Sequence, residues 1–158
     1  MRDEQKRRGP AFIAHRSSLI SRRVVTIVIA LGSNLGDRRY HLLRAIHELG
    51  GIIRVVRVSR IHETAPVDAP AGSPPFLNAA VAGYTSLPPQ AIMEALLAIE
   101  KRLGRIRRGT RNAPRIIDLD LILYSGTRLR TPALTLPHPR ARTRRFVTEP
   151  MGEVGFSL

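Results

Sequence analysis

The sequence predicts an α+β fold, a ferredoxin-like βαββαβ sandwich whose mainly antiparallel sheet carries helices on one face and long functional loops. Three observations predict it. Residues 24–31, 52–61, 76–86 and 116–123 are β-branched or aliphatic runs of strand length. Two stretches between them place apolar residues at helical spacing. Junctions rich in Gly, Pro and Asn separate the six elements. At 158 residues the chain has length for one domain with a real core and too little for two ordinary ones.

Residues 1–22 are mixed and basic, and the apolar run at 11–14 is too brief for a signal-peptide core. They are expected to form a basic, poorly ordered extension ahead of a single domain at 23–158. The first strand, 24–31, runs into Gly32-Ser33-Asn34-Leu35-Gly36-Asp37. A strand–turn–helix junction of this kind suits a phosphate loop, but it lacks a Gly-Lys pair, and a tight turn needing small residues explains it equally. Leu35, Leu42, Ile46 and Leu49 form a helical stripe that Gly50-Gly51 stops. Residues 52–61 alternate basic and apolar side chains, as a partly exposed strand does. The next stretch, 62–75, holds Pro66, Pro70, Pro74 and Pro75 and must be a loop. A loop that long inside a compact domain is more often functional than idle.

Strand character returns at 76–86, where Asn78 is a polar side chain in an apolar context and needs a hydrogen-bond partner. After Pro88-Pro89, the stripe Ile92, Leu96, Ile99 and Leu103 marks a second helix ended by Gly104. Glu100, in its last turn, opposes the helix dipole unless arginines of the next loop pair with it. Arg102, Arg105, Arg107, Arg108, Arg111 and Arg115 follow it, with no acidic residue among them. The last strand then interrupts its apolar run with Asp118 and Asp120. Side chains two apart on a strand share a face, and two adjacent buried carboxylates are costly unless neutralised. A hard cation such as Mg2+ does this with one or two carboxylates plus substrate phosphates, and arginine is suited to bidentate phosphate binding. The bland alternative is ion pairing between these carboxylates and the arginines. Beyond a turn at 124–126 and an edge segment at 127–131, His138 lies between Pro137 and Pro139. A second basic cluster follows it: Arg140, Arg142, Arg144 and Arg145. Phe146, Val147 and Pro150 are expected to dock this end on the core.

The net charge is +14, and of 26 basic residues only Lys6 and Lys101 are lysine, so 24 are arginine. That balance points to a polyanionic partner: nucleic acid, a membrane surface or a polyphosphate. The absence of cysteine rules out a disulfide framework and a thiolate metal site. No apolar run approaches the length of a membrane span, and a cytoplasmic location is expected.

Six motifs in order resemble the 6-hydroxymethyl-7,8-dihydropterin pyrophosphokinase family of folate biosynthesis. They are Ala30-Leu-Gly-Ser-Asn-Leu-Gly36, Glu63-Thr64-Ala65-Pro66, Phe76-Leu-Asn78-Ala-Ala-Val81, Glu100 through Arg105, Ala113-Pro-Arg115-Ile-Ile-Asp118-Leu-Asp120, and Pro137-His138-Pro139-Arg140. The resemblance implies transfer of pyrophosphate from ATP to the pterin hydroxymethyl group, releasing AMP. It implies that Asp118 and Asp120 hold two Mg2+ ions around the triphosphate, and that Arg105 and Arg115 belong to a catalytic loop closing over the nucleotide. Arg107, Arg111, Glu100, Leu121, Thr135, His138 and Arg144 match ATP-side positions. Phe76 and Phe146 match the aromatic pair that sandwiches the pterin, Asn78 the amide that reads its polar edge, and Thr64, Ala65 and Val67 the pocket lining.

The partners implied are small molecules, with a monomer expected. Three features depart from the family pattern: Asn112 where many members carry an aromatic packed on the closed loop, Pro139 in place of an aromatic, and a short C-terminal region. Two alternatives compete: a catalytically silent relative that binds pterin or nucleotide, and a basic RNA-binding module with the same element order. The second needs aromatic residues displayed on central strands, and only four Phe, three Tyr and no Trp are present.

Overall fold

The computed structural model describes residues 23–107, 109–110 and 112–158. The expected extension at 1–22, and with it Arg111, lie outside the described residues. The central strand is β1 (Val25–Ser33), antiparallel to β4 (Phe76–Thr85) on one side and β5 (Asp118–Tyr124) on the other. Strand β2 (Arg54–Val58) pairs with one end of β4, and the short β3 (His62–Thr64) with the other end. The order β2-β4-β1-β5, antiparallel throughout, is the arrangement expected of a βαββαβ chain. Helices α1 (Arg38–Leu49) and α2 (Pro89–Arg102) are its two crossovers, and β6 (Leu129–Arg130) with β7 (Thr135–Leu136) makes a separate ribbon.

Alternation along β1 divides the core in two. Ile27, Ile29 and Leu31 pack with Leu42 and Leu49 of α1 and with Ile92, Leu96 and Ile99 of α2. Val28 turns the other way and joins Ala80, Ala82 and Ile122 in a smaller cluster with Val147, Met151 and Val154. These last residues come from α3 (Arg145–Glu153) and its end, an element outside the six-element pattern. The two crossover helices therefore share one face as expected, and α3 covers part of the opposite face. The alanines of β4 give it room to approach.

Three boundaries differ from the sequence pattern. His62–Thr64 pairs with β4, so the proline loop begins only at residue 65, next to Pro66, which has no N–H to give a ladder. Strand β5 begins at Asp118, and Ile117 before it is fully buried beneath the loop. Leu35 precedes α1 and is exposed, so the buried stripe of that helix is Leu42, Ala45 and Leu49.

Candidate active site

The register of the three central strands builds the floor of the site. Gly32 of β1 lies between Asn78 of β4 and Asp118 of β5, and Ala30 lies between Ala80 and Asp120. Residues two apart share a face, so Asn78, Asp118 and Asp120 project from the face opposite α1 and α2. Helix α3 covers one end of that face and leaves this end open. A Cβ on Gly32 would sit 3.2 Å from Asn78 Oδ1 and 3.5 Å from the Phe76 ring. Glycine here keeps the floor low between an amide and an aromatic.

One cleft on this floor is lined by aromatic and aliphatic side chains on one side and polar ones on the other. It holds about 650 Å3, open mouth included, and Phe76, Phe146, Thr64, Ala65, Val67 and Asn78 are among the residues lining it. Asn78 is 5% exposed and donates from Nδ2 to Thr64 Oγ1 at 2.7 Å, so its carbonyl oxygen is left toward Gly32 and the cleft. The guanidinium of Arg115 lies 5.3 Å from the centre of the Phe76 ring, and that of Arg144 lies 5.5 Å from the centre of Phe146. Each aromatic is thus held beside a cation.

The second cleft is basic. Glu100, Arg105, Arg107, His138 and Arg140 line it, and Asn112, Arg115, Asp118, Asp120 and Arg144 line both clefts. The carboxylate pair therefore stands where a cleft flanked by two phenylalanines meets an arginine-rich one. The stop of α2 helps to arrange this. Gly104 takes φ +94°, the Gly104 N–H donates to Lys101 O, and the Arg105 N–H reaches back to Glu100 O at 2.9 Å. That left-handed turn closes the helix and folds the chain back over its last turn.

Glu100, 2% exposed, then accepts from Arg105, from Arg107 Nη2 at 2.8 Å and from the Leu119 N–H at 2.8 Å. Burial pushes its carboxyl upward in pKa, against the backbone hydrogen bond and the arginines. The mismatch of Glu100 with the helix dipole is answered as expected, by arginines of the following loop.

The two aspartates have different surroundings. Asp118 is paired with Arg105 and with Arg115 Nη2, the latter at 2.8 Å. For Asp118 the ion-pair alternative holds as well. Asp120 has no ion pair or side-chain hydrogen bond among the described residues, and its carboxyl is pushed up to about 6, first by burial and then by Asp118 and Glu100. Among the described residues no third His, Asp or Glu joins the pair in a metal-ligating cluster. Two carboxylates on one face, one of them a partly buried acid without an ion-pair partner among the described residues, fit a hard cation completed by phosphate oxygens.

His138 is held by its N–H on Ile122 O at 2.9 Å, and its Nδ1 accepts the Arg140 N–H at 3.3 Å. Burial first, then Arg144 and Arg140, lowers its pKa, and with Nδ1 accepting from Arg140, Nε2 is the ring nitrogen left to donate.

Most of the expected site residues therefore converge on two adjoining clefts. Leu121 does not: its side chain is 2% exposed and packs with the helices. Thr135 pairs in the β6–β7 ribbon and lines neither cleft. Arg107 stands at the mouth, its side chain 61% exposed.

The turn after β1 proves structural. The α1 N-terminus is capped by the Asp37 carboxylate, which accepts the Tyr40 N–H at 3.0 Å and so puts a negative charge of the chain itself at this helix end. Sequence reasoning missed Asn34 as a site-building residue. Its amide, 1% exposed, bonds to the backbone of Pro74 and of Arg115.

The profile of the family described as 7,8-dihydro-6-hydroxymethylpterin-pyrophosphokinase (HPPK) matches residues 28–155. The chain is 42% identical over 128 residues to the 2-amino-4-hydroxy-6-hydroxymethyldihydropteridine pyrophosphokinase of Bacillus subtilis, covering 80% of this chain and 75% of that one. It is 42% identical over 127 residues to a mitochondrial folate synthesis bifunctional protein of Arabidopsis thaliana, covering 79% of this chain and 22% of that one. The chain spans only about a quarter of the plant bifunctional relatives. A solved Plasmodium falciparum HPPK-DHPS triple mutant with pteroate shares the fold, with TM-score 0.60 and 12% identity over 83% of this chain and 40% of that one. On the profile match and these identities, the chain belongs to the 7,8-dihydro-6-hydroxymethylpterin-pyrophosphokinase family.

Proposed function

We propose that the chain transfers pyrophosphate from ATP to 6-hydroxymethyl-7,8-dihydropterin, giving AMP and the pterin diphosphate in folate biosynthesis. The observation that carries this reading is the position of Asp118 and Asp120 on the wall shared by the aromatic cleft and the arginine cleft. The pterin ring lies between Phe76 and Phe146, and the Asn78 carbonyl oxygen accepts from a ring N–H. That pose aims the hydroxymethyl group at the carboxylates. The triphosphate occupies the basic cleft under Arg105, Arg115 and Arg144, with Nε2 of His138 donating to a phosphate oxygen.

The pterin hydroxyl attacks the β-phosphorus, the bond from that phosphorus to the α,β-bridging oxygen breaks, and AMP leaves with the electron pair while the hydroxyl proton is lost to water. Asp118 and Asp120 would hold Mg2+, which when bound screens phosphate charge and polarises the hydroxyl. Two ions are part of the proposal. Arg105 and Arg115, which hold Asp118 here, would be free to bind β- and γ-phosphate oxygens once that carboxylate held a cation. Orienting donor and acceptor across one wall makes the reaction effectively intramolecular.

We take residues 23–158 as a single domain working as a monomer in the cytoplasm on small molecules. No helix among the described residues is long and apolar enough to cross a membrane. An RNA-binding sheet would need the face opposite its helices open, and here α3 packs on part of that face.

Phosphorus NMR of a mixture of chain, ATP, Mg2+ and pterin tests the reading. AMP and a pterin-linked diphosphate in equal amounts are expected. ADP, or AMP with free pyrophosphate regardless of pterin, would overturn it.

A further inference from the structure

Between β2 and β3 the regular pairing with β4 lapses at residues 59–61. The Ser59 hydroxyl stands in for a carbonyl there and accepts the Ala80 N–H at 2.8 Å. The Arg60 N–H is taken by Oε2 of Glu153, from the end of α3, at 2.8 Å. Oε1 of the same carboxylate accepts from Arg60 Nη2 at 2.8 Å and Nε at 3.1 Å. His62 Nε2 stands 3.0 Å from Oε1, a charge contact without hydrogen-bond alignment. The Arg60 side chain is 85% exposed, so its ion pair contributes little by itself. The backbone N–H and the less exposed His62 are what seat the carboxylate.

Glu153 and Phe146 are seven residues apart on α3, close to two full turns, so they leave the same side of the helix about 10 Å apart along its axis. His62 and Thr64, two apart on β3, also share a face. Helix and strand are therefore joined at one end, where Glu153 meets Arg60 and His62. At the other end Phe146 and Thr64 line the aromatic cleft, and Thr64 holds Asn78. The remaining anchors of α3 are the apolar side chains Val147, Met151 and Val154 and a long hydrogen bond from Arg57 Nη1 to Val154 O at 3.4 Å. Apolar burial is non-directional: it presses α3 onto the sheet and leaves its place along the strands to the polar contacts. Pro150 also has no N–H for the Phe146 carbonyl, so the helix by itself holds Phe146 less firmly.

We propose that Glu153 is a positioning residue for the pterin cleft: by holding Arg60 and His62 it sets the gap between the Phe146 wall and the Thr64–Asn78 wall, a role that rests on the pterin reading of that cleft. Glu153 lines neither cleft and acts only through these walls.

The test is equilibrium titration of the full chain with the pterin in the presence of Mg2+ and the α,β-methylene analogue of ATP, beside a titration with that analogue alone. Glu153→Ala is expected to raise the pterin dissociation constant about two- to tenfold, the range for a lost hydrogen bond, and to leave that of the analogue within about twofold. In a Phe146→Leu background the same substitution is expected to cost less than about 1.5-fold, because effects that act through one shared group are not additive.

A merely structural role would weaken both ligands alike as thermal stability falls, or would cost the same in both backgrounds, and either result overturns the proposal. Should Glu153→Ala fold poorly, the isosteric Glu153→Gln decides, with a rise in the pterin constant of at least about twofold expected. An unchanged pterin constant in the folded variant overturns the proposal and leaves the pyrophosphokinase reading intact. Wild-type chain that binds neither ligand overturns that reading and this one with it.

Discussion

Asp118 and Asp120 are chemically identical side chains two residues apart, and the fold gives them different surroundings. Asp118 is held by two arginines, whereas Asp120 is a partly buried acid with a carboxyl raised from 3.8 to about 6. A carboxyl whose folded pKa is raised stabilises the fold most while protonated, below about 3.8, and that contribution is lost as pH rises through about 6. With chelator present, the contribution of Asp120 to unfolding free energy should therefore fall between about pH 4 and pH 7, by at most about 3 kcal/mol at 1.36 kcal/mol per pKa unit. D120N should flatten that part of the profile, measured by urea denaturation at a series of pH values. An equally steep loss in D120N would mean that the carboxyl is not the source. Glu100 is the residue whose removal should hurt the fold most within the site. Glu100→Ala strands the Leu119 N–H and leaves Arg107 and Arg105 without a shared partner. It should cost about 3 kcal/mol in the same assay, the size seen for breaking a buried charged network. A loss below about 1 kcal/mol would show the pair to be solvent-screened.

At the scale of elements, register matters more than any single contact. The pairing of Gly32 with both Asn78 and Asp118 sets the aromatic cleft beside the carboxylates. Gly32→Ala should raise the pterin dissociation constant about tenfold or more, because its Cβ enters the space between Asn78 Oδ1 and Phe76. Fluorescence titration reads this, and an unchanged constant would exclude the floor as a binding surface. The element order was legible because the strands are short β-branched runs and because α1 and α2, at 12 and 14 residues, carry clear apolar stripes. Helix α3 was not legible as a helix. It is nine residues long with Pro150 inside, and only its anchors Val147, Pro150 and Met151 are buried. Asp118, Asp120, Glu100 and the arginines could be read as a site because their charges are anomalous where they stand. Asn34 could not, since its partners Pro74 and Arg115 lie 40 and 81 residues away and are recognised through backbone atoms. Leu121 shows the converse limit, for a family position transfers without its side-chain direction, and here that side chain faces the core.

For the whole molecule, a formal charge of +14 left three classes of polyanion open. The structure narrows them by where the cations stand. Arg105, Arg115 and Arg144 converge on a concave cleft that also holds two carboxylates, an arrangement that favours the proposed metal-bound triphosphate over a bare phosphate backbone. Helix α3 closes part of the sheet face that a strand of nucleic acid would use, and the rest of that face is a cleft between two phenylalanines. These features make one connected claim, that pterin and nucleotide meet at the aspartate pair. The most direct test is the initial rate of AMP release from ATP and Mg2+ with the pterin, compared between wild type, D120N and wild type with chelator. Wild type is expected to release AMP only with the pterin, and both other samples to lose at least about a hundredfold in rate, the range for removing electrostatic stabilisation of the transition state. Near-normal AMP release by D120N, or release that ignores pterin or chelator, would contradict it.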